Sequence, residues 1–293
     1  MYDFSALYEA TDVPNAIGLM QAHPNAHLIA GGSDVLIKIR EGKLAGAELI
    51  SIFKLDELRG VSLDGDGTLR IRPLTSFSHV TKDPLICQYI PVLGEAVDQA
   101  GGPQLRNIGT IGGNVCNGMT SADSASTLFA YDAVLELTGA DGVRTVHIQD
   151  FYKGPGKVAL EPAELLTAIL IPRESYENCF GHYIKYAMRN AMDIATIGCS
   201  VNVVLSADKK TIERARIGYG VAGPVPLRAV SGEAAAAGKP IGAETIEAVG
   251  KAVLEDVKPR TSWRATADFR RQIIAETARR ALRSSIERAG GVL

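Results

Sequence analysis

Two segments set the architecture of this chain: Leu28-Ile29-Ala30-Gly31-Gly32-Ser33-Asp34 and Thr110-Ile111-Gly112-Gly113-Asn114. Each carries a pair of adjacent glycines after an apolar lead-in. Glycine adopts positive φ and has no Cβ, so a phosphate oxygen can approach the backbone N–H groups of such a loop. Neither pair has a lysine or arginine next to it, so a bound anion would be held by backbone dipoles. Two such loops suit a long diphosphate ligand held from two sides, and the alternative is a pair of ordinary tight turns.

Other nucleotide and hydrolase motifs are missing from the sequence. No G-x-G-x-x-G opens a βαβ unit and no G-x-x-x-x-G-K-[ST] occurs, so neither a Rossmann site nor a P-loop is expected. The segment Gly154-Pro155-Gly156-Lys157 is interpreted as a surface turn. The histidines are scattered and no G-x-S-x-G accompanies them, which gives little support to hydrolase chemistry.

Composition narrows the class of protein. The chain has 293 residues, of which 46% are hydrophobic and 22% charged, and its formal net charge is −2. This size is typical of about two domains, and the near-neutral charge disfavours a nucleic-acid binder. The first basic residue is Lys38, so the positive start of a secretory signal peptide is missing. No run reaches the roughly 18 apolar residues of a membrane span, and we expect a cytoplasmic protein.

The cysteines argue against a metal centre in this chain. Cys87, Cys116, Cys179 and Cys199 lie far apart and form no C-x-x-C pair. Zinc and iron–sulfur sites usually need such clustering. We therefore expect no metal site and interpret the four residues as small buried thiols.

Hydrophobic periodicity predicts an α+β fold. Helices and strands are mixed over about the first 170 residues. Pro172–Tyr176 is the expected boundary because a proline and charged residues end an apolar strand there. Three alternating segments between residues 182 and 221 then predict an antiparallel meander, followed by helices. The stretch 101–123 is expected to be rich in turns and 223–240 to be a loop.

Two basic groups leave alternatives open. Lys185 and Arg189 are four apart in an alternating segment, so on one strand they would share a face. They are either functional or two solvated charges. Trp263, between Arg260 and Arg264, is either a docking patch or, by preference, a residue packed beside the last helix.

Several motifs together resemble the FAD-binding (medium) subunit of the xanthine dehydrogenase/molybdenum hydroxylase family, and above all the separate flavin subunit of bacterial three-subunit xanthine dehydrogenases. The motifs are A-G-G-S-D at 30–34, G-P-Q-L-R-N-I-G-T-I-G-G-N at 102–114, C-N-G-M-T-S-A-D-S at 116–124, K-Y-A-M-R at 185–189 and P-R-T-S-W-R at 259–264. The resemblance implies an FAD-binding domain of the vanillyl-alcohol-oxidase (PCMH) type over residues 1–175, with lobes at about 1–55 and 56–175. A smaller domain of the CO dehydrogenase flavoprotein C-terminal type, with an antiparallel sheet and helices, would occupy residues 176–293.

The resemblance also implies the residues that hold the cofactor. Residues 28–35 and 110–114 would wrap the FAD diphosphate, Asn117 and Asp123 would bind further polar atoms, Leu166 would pack on the isoalloxazine ring, and Lys185 would lie near its polar edge and tune it. The full set is Leu28, Ile29, Ala30, Gly31, Gly32, Ser33, Asp34, Val35, Thr110, Ile111, Gly112, Gly113, Asn114, Asn117, Asp123, Leu166 and Lys185.

The implied role is electron transfer. A molybdopterin-binding large subunit would oxidise the substrate, two [2Fe–2S] clusters in a small subunit would relay electrons, and FAD in this chain would pass a hydride to NAD⁺. Two alternatives stay open: a related complex acting on another N-heterocycle, an aldehyde or carbon monoxide, and a non-catalytic assembly subunit that has lost flavin.

Overall fold

The computed structural model describes residues 2–293, which fold around three larger β-sheets and one two-stranded hairpin. The first region contains β1 (Phe4–Glu9), α1 (Val13–Ala22), β2 (His27–Ile29), α2 (Val35–Arg40) and β3 (Ala47–Ser51). Strand β3 lies between β1 and β2 and pairs in parallel with both. Leu49 and Ile50 at its centre are therefore buried. Helix α1 begins where the Asp12 carboxylate accepts a hydrogen bond from the Asn15 amide.

The second region is built on a five-stranded antiparallel sheet with the order β4-β5-β10-β6-β7. Its strands are β4 (Val61–Leu63), β5 (Leu69–Ile71), β6 (Val134–Gly139), β7 (Gly142–His147) and β10 (Leu165–Ile171), with a separate hairpin of β8 (Tyr152–Gly154) and β9 (Lys157–Val158). Its helices are α3 (Phe77–Lys82), α4 (Pro84–Tyr89), α5 (Pro91–Val97), α6 (Pro103–Ile108), α7 (Ile111–Cys116), α8 (Asp123–Ala130), α9 (Ile148–Phe151) and α10 (Arg173–Tyr176). Between residues 77 and 130 helices follow one another without a strand.

The third region is an antiparallel sheet covered by helices. Its strands are β11 (Phe180–Tyr186), β12 (Ile197–Leu205), β13 (Thr211–Gly220), β14 (Leu227–Arg228) and β15 (Lys239–Pro240), and its helices are α11 (Val230–Ala236), α12 (Ala243–Ala252) and α13 (Ala267–Arg288). The strands follow the order β11-β12-β13-β14, with β15 also paired to β13. This meander was predicted from the sequence, and the predicted α+β class is confirmed.

Helix α8 joins the second and third regions. All eight of its residues are buried, because it packs on α5 of its own region and on β12 and β13 of the next. Its backbone approaches β13 at Gly218, where a Cβ would lie only 2.0 Å from the Ser126 carbonyl oxygen. The first residue of this helix is Asp123, so the contact between the two regions extends to a predicted cofactor residue.

Two stretches expected to lack regular structure form helices. Within 101–123, α6 begins at Pro103, and α7 is capped by the Thr110 hydroxyl, which accepts a hydrogen bond from the Gly113 amide. Within 223–240, the alanine-rich run belongs to α11, whose Glu233 is buried in ion pairs. Alanine is a strong helix former. No capping side chain marks the start of α11 in the sequence, and the ion pairs of Glu233 hold the helix in place.

Three predictions about single side chains are wrong. Strand β11 ends at Tyr186, so Arg189 does not share a strand face with Lys185. Trp263 is 76% exposed beneath the Arg264 guanidinium instead of packed beside the last helix. Cys87 is exposed, so not all four thiols are buried.

The hydropathy of the helices bears on membrane association. Among residues 2–293, no helix is long and apolar enough to cross a membrane.

Candidate functional site

The first glycine loop connects β2 to α2 and leaves no room for side chains. A Cβ on Gly31 would lie 1.8 Å from the carbonyl oxygen of Ile108, at the end of α6. Gly32 has a φ of +72°, in the left-handed region that glycine adopts most readily. The loop therefore touches the segment that leads into the second glycine pair, and both glycines are required by geometry.

The backbone amides of this loop are free. Within the described chain, the N–H groups of residues 31–35 donate no hydrogen bond, and the first one that does is Leu36, to the Gly32 carbonyl at 3.0 Å. Unpaired N–H groups at a half-exposed loop need water or a ligand as acceptor. The loop therefore offers a row of donors to an anion.

The second glycine pair differs from the first because its amides are already used. The Ile111 and Gly112 amides donate to the carbonyls of Thr75 and Pro73 at 3.0 and 2.8 Å, and the Gly113 amide donates to the Thr110 hydroxyl at 3.1 Å. Gly113 itself is exposed, and the only atom near a Cβ placed there is the Thr110 hydroxyl oxygen at 2.9 Å. Gly113 therefore offers an open, closely approachable surface, while Gly112 is buried against Pro73. The expectation of two equivalent amide cradles is not met.

Asn114 contributes a donor next to this surface. The buried Ser124 hydroxyl donates to Asn114 Oδ1 at 2.7 Å. Because this bond occupies the amide oxygen, the Asn114 NH₂ group is left to donate to another group. Ser124 thereby orients a side chain that the sequence resemblance had placed in the cofactor site.

Lys185 and Asp123 form a nearly buried ion pair between the third and second regions. Lys185 Nζ lies 2.9 Å from Asp123 Oδ2 and also donates to the Gln99 carbonyl, with side-chain exposures of 6% and 10% for the pair. The Tyr183 hydroxyl donates to Asp123 Oδ1 at 3.0 Å. Burial raises the pKa of the Asp123 carboxyl, although Lys185 and Tyr183 oppose the rise. The interpretation of Lys185 as a solvated charge is therefore wrong.

A second lysine joins two other predicted residues. Lys38 Nζ lies 2.5 Å from the Asp34 carboxylate and donates to Asn117 Oδ1 at 3.1 Å. Asp34 stands before α2, but its side chain makes no capping hydrogen bond. The ammonium thus connects the first glycine loop to the end of α7.

Leu166 is less accessible than the sequence predicts. It lies on β10 with 3% of its surface exposed and packs in the core of the second region. Leu28 and Ala30 of the first loop pack nearby on the small cluster that contains Leu165. Contact between Leu166 and a ring would therefore be limited to a small part of its surface.

Sequence reasoning missed Lys38 and Tyr183. The spacing of Asp34 and Lys38, four residues apart on a helix, is a local signal that favours an ion pair. Tyr183 alternates with Lys185 on β11, so both side chains point to the face that meets Asp123. Tyr183 lies 60 residues from Asp123 in the chain, and Lys38 lies 79 residues from Asn117, so only the fold brings these groups together.

A separate cavity lies away from these residues. It measures about 520 Å³ and is lined by Tyr89, Tyr131, Tyr176 and Arg288, among others. The Tyr176 hydroxyl is bonded to the Gly67 carbonyl and Arg288 to Glu95, so these polar groups are already committed. In the part of the chain that the structure describes, no group of three His, Cys, Asp or Glu residues is placed to hold a metal.

Comparison with known proteins agrees with this geometry. Residues 2–174 match the family described as FAD binding domain in molybdopterin dehydrogenase, and residues 182–285 match the CO dehydrogenase flavoprotein C-terminal domain. The chain is 41% identical to the xanthine dehydrogenase FAD-binding subunit of Escherichia coli O157:H7 over the whole of both chains. It is 32% identical to the nicotinate dehydrogenase FAD-subunit of Eubacterium barkeri, over 83% of this chain and 78% of the other.

The fold has close counterparts among solved structures. A chain of carbon monoxide dehydrogenase from Hydrogenophaga pseudoflava superposes with a TM-score of 0.92 at 29% identity, covering 98% of this chain and 99% of that one. Fold and loops together define a flavin-binding subunit of a multi-subunit oxidoreductase. The chain belongs to the FAD-binding medium subunits of the molybdenum hydroxylase family. The resemblance stated from the sequence is confirmed.

Proposed function

We propose that this chain is the FAD-carrying electron-transfer subunit of a xanthine dehydrogenase. In this role it takes electrons from [2Fe–2S] clusters of a partner subunit and passes a hydride to NAD⁺. The observation that carries the flavin assignment is the row of free amides at residues 31–35, next to glycines whose positions admit no Cβ. The full-length similarity to a xanthine dehydrogenase subunit supports the substrate class.

The chain's groups fit an extended diphosphate cofactor. Residues 28–35 would hold the diphosphate with their amides, and residues 110–114 would line its other side with the exposed Gly113 and the Asn114 amide. Asn117 and Asp123 would bind further polar atoms, while Leu166 would lie against the ring. FAD, when bound, supplies the exchange between single electrons and electron pairs.

Lys185 is proposed to stabilise negative charge at the polar edge of the ring. Two of its ammonium N–H groups are used by Asp123 and the Gln99 carbonyl. The third is left for a ligand acceptor, since an ammonium has three donors. Asp123 therefore fixes the position of the charge that Lys185 presents.

We also propose the partners and the domain division. A molybdopterin-binding large subunit and a [2Fe–2S] small subunit would complete the enzyme, since relatives of this chain are described as subunits or medium chains. The FAD-binding domain would comprise residues 1–175, with lobes at about 1–55 and 56–175, and the C-terminal domain residues 176–293. The widely spaced cysteines of this chain are consistent with clusters carried by a partner.

The test is to purify the native complex and record its visible spectrum, its subunits and its substrate-dependent NADH formation. We expect flavin absorbance, two further subunits and xanthine-dependent reduction of NAD⁺. Activity with nicotinate or an aldehyde but not with xanthine would indicate a related complex. Reduction of O₂ but not of NAD⁺ would overturn the acceptor, and a colourless chain would indicate an assembly subunit.

A further inference from the structure

Among the residues of α2 and α7, Lys38 is the one cation that contacts the first glycine loop. Its ammonium contacts Asp34 at the start of α2 and Asn117 at the end of α7. Within residues 2–293 its third N–H has no acceptor. Long side chains on a helix point back toward its N-terminus, which explains why this lysine returns to the loop that precedes it.

The negative charge of Asp34 requires a nearby cation if a diphosphate is to bind at this loop. The Asp34 carboxylate belongs to the loop whose five amides are free, so a diphosphate bound there would meet a like charge. Like charges in a partly desolvated site repel strongly unless a cation neutralises one of them. At 2.5 Å, the Lys38 ammonium neutralises Asp34 and keeps one donor for another oxygen.

We propose that Lys38 is a binding residue for the cofactor diphosphate and supplies the positive charge of that site. This inference rests on the proposed function, because it assumes that the diphosphate lies along residues 31–35. It replaces the expectation, based on sequence neighbours alone, that the anion is held only by backbone dipoles. Lys38 also connects the first region to the second, through its hydrogen bond to Asn117.

The test compares binding of FAD and riboflavin, which lacks phosphate, to the full-length apoprotein by flavin fluorescence at low and high salt. In Lys38→Met the dissociation constant for FAD should rise about tenfold, as for the loss of one charge-assisted hydrogen bond. Riboflavin binding should not change, and FAD binding should depend less on salt than in the wild type. Lys43→Met is the matched control, because Lys43 pairs with Glu41 on the surface just beyond the same helix.

The Asp34 carboxylate provides a second variant. Asp34→Asn should bind FAD at least as tightly as the wild type, and Asp34→Asn/Lys38→Met should recover part of the loss seen in Lys38→Met. Equal weakening of FAD and riboflavin by Lys38→Met, or no weakening, would overturn the role of Lys38 while leaving the proposed function intact. A wild-type chain that binds neither flavin would overturn both.

Discussion

Gly113 is the residue at which the space for a ligand is most directly visible. It is exposed, and apart from the Thr110 hydroxyl nothing lies near a Cβ placed on it. A valine there would fill the surface that the diphosphate is proposed to use, and within the fold the Thr110 hydroxyl, 2.9 Å from the new Cβ, would have to shift to admit it. We expect Gly113→Val to yield a folded chain without FAD, measured by circular dichroism and visible absorbance.

Gly18 is the matched control for this substitution. It is also a helical, exposed glycine, and a Cβ placed on it meets nothing within 4 Å. Gly18→Val should retain FAD. Normal flavin content in Gly113→Val, or its loss in both variants, would contradict the assignment of the second loop.

Variants of the Lys185–Asp123 pair can distinguish an effect on the flavin reduction potential from an effect on the stability of the fold. Lys185→Met removes a cation from the proposed ring site, so the flavin reduction potential should fall by on the order of 30 mV. It also leaves Asp123 buried without its partner, which should cost about 3–5 kcal/mol of unfolding free energy. In Lys185→Met/Asp123→Asn most of the stability should return while the potential stays low.

Spectroelectrochemical titration and chemical denaturation measure these two quantities. A potential that is unchanged in both variants would show that Lys185 acts on the fold alone. A stability that does not recover in the double variant would show that the buried carboxylate is not the source of the loss.

The residues of this site were predictable to different degrees. The glycines are apparent in the sequence because their requirement is local: the chain must turn and another backbone must come close. Lys38, Tyr183 and the contact between Asp123 and Lys185 depend on pairs that are distant in the chain. No periodicity reports such pairs, and only the family resemblance had placed Asp123 and Lys185 in one site.

At the scale of elements, the sheet of the second region is fastened by Arg144 on β7 and Glu164 just before β10. The carboxylate accepts two hydrogen bonds from the guanidinium, both of 2.6 Å, and one from the Glu161 amide. Glu164 reaches this position over Gly139 at the end of β6. These bonds lower the pKa of Glu164 below its usual value of 4.5, mainly through Arg144.

The lowered pKa of Glu164 predicts how its contribution to the free energy of unfolding depends on pH. A carboxyl with a lowered pKa in the folded state contributes stability that is present above its unfolded pKa and is lost as the pH falls through its folded pKa. Glu164→Gln should therefore lower the free energy of unfolding by about 1 kcal/mol at pH 7, since solvent screens the partly exposed Arg144. The difference from the wild type should vanish below the folded pKa. Denaturant titrations at several pH values measure it.

Glu161→Gln is the control for this prediction. Glu161 also faces Arg144, but at 3.8 Å and with 72% of its side chain exposed. Its substitution should change stability by less than about 0.5 kcal/mol at any pH. A difference for Glu164→Gln that persists undiminished at low pH would contradict the ion-pair explanation.

Elements were predicted well where side chains repeat with a period and poorly where caps or distant charges define them. Helix α1 and the strands of the meander follow their apolar patterns closely. Helices α6 and α7 are six residues each, too short for a period, and lie among glycines. Helix α11 has no capping side chain, and its anchor is Glu233 paired with Arg228. These are tertiary causes that a local pattern does not contain.

At the scale of the whole molecule, an ionic network fixes the third region to the second. Asp132, which follows α8, pairs with Arg216 of β13 at 3.0 Å and with Arg228 of β14. Arg228 also pairs with Glu233 at 2.5 Å, and these last two side chains are 8% exposed. Together with the Lys185–Asp123 pair, this network ties both ends of α8 to the C-terminal sheet. The geometry of the cofactor site therefore depends on how firmly the regions are docked.

Asp132→Asn tests this dependence with little disturbance of the backbone. Asp132 has a φ of +50°, which asparagine tolerates well. The two arginines keep Glu233 as a partner, so the loss should be about 2 kcal/mol, as for hydrogen bonds to a charged group. Because the loss falls on the contact between regions, calorimetry should show the C-terminal region unfolding before the rest, and trypsin should cleave faster near α10. Asp208→Asn is the control, because Asp208 lies in the exposed turn between β12 and β13, away from the contact between the regions. It should change neither the calorimetric transition nor the rate of tryptic cleavage. A single, equally cooperative transition in Asp132→Asn would mean that the apolar packing of α8 alone holds the regions together.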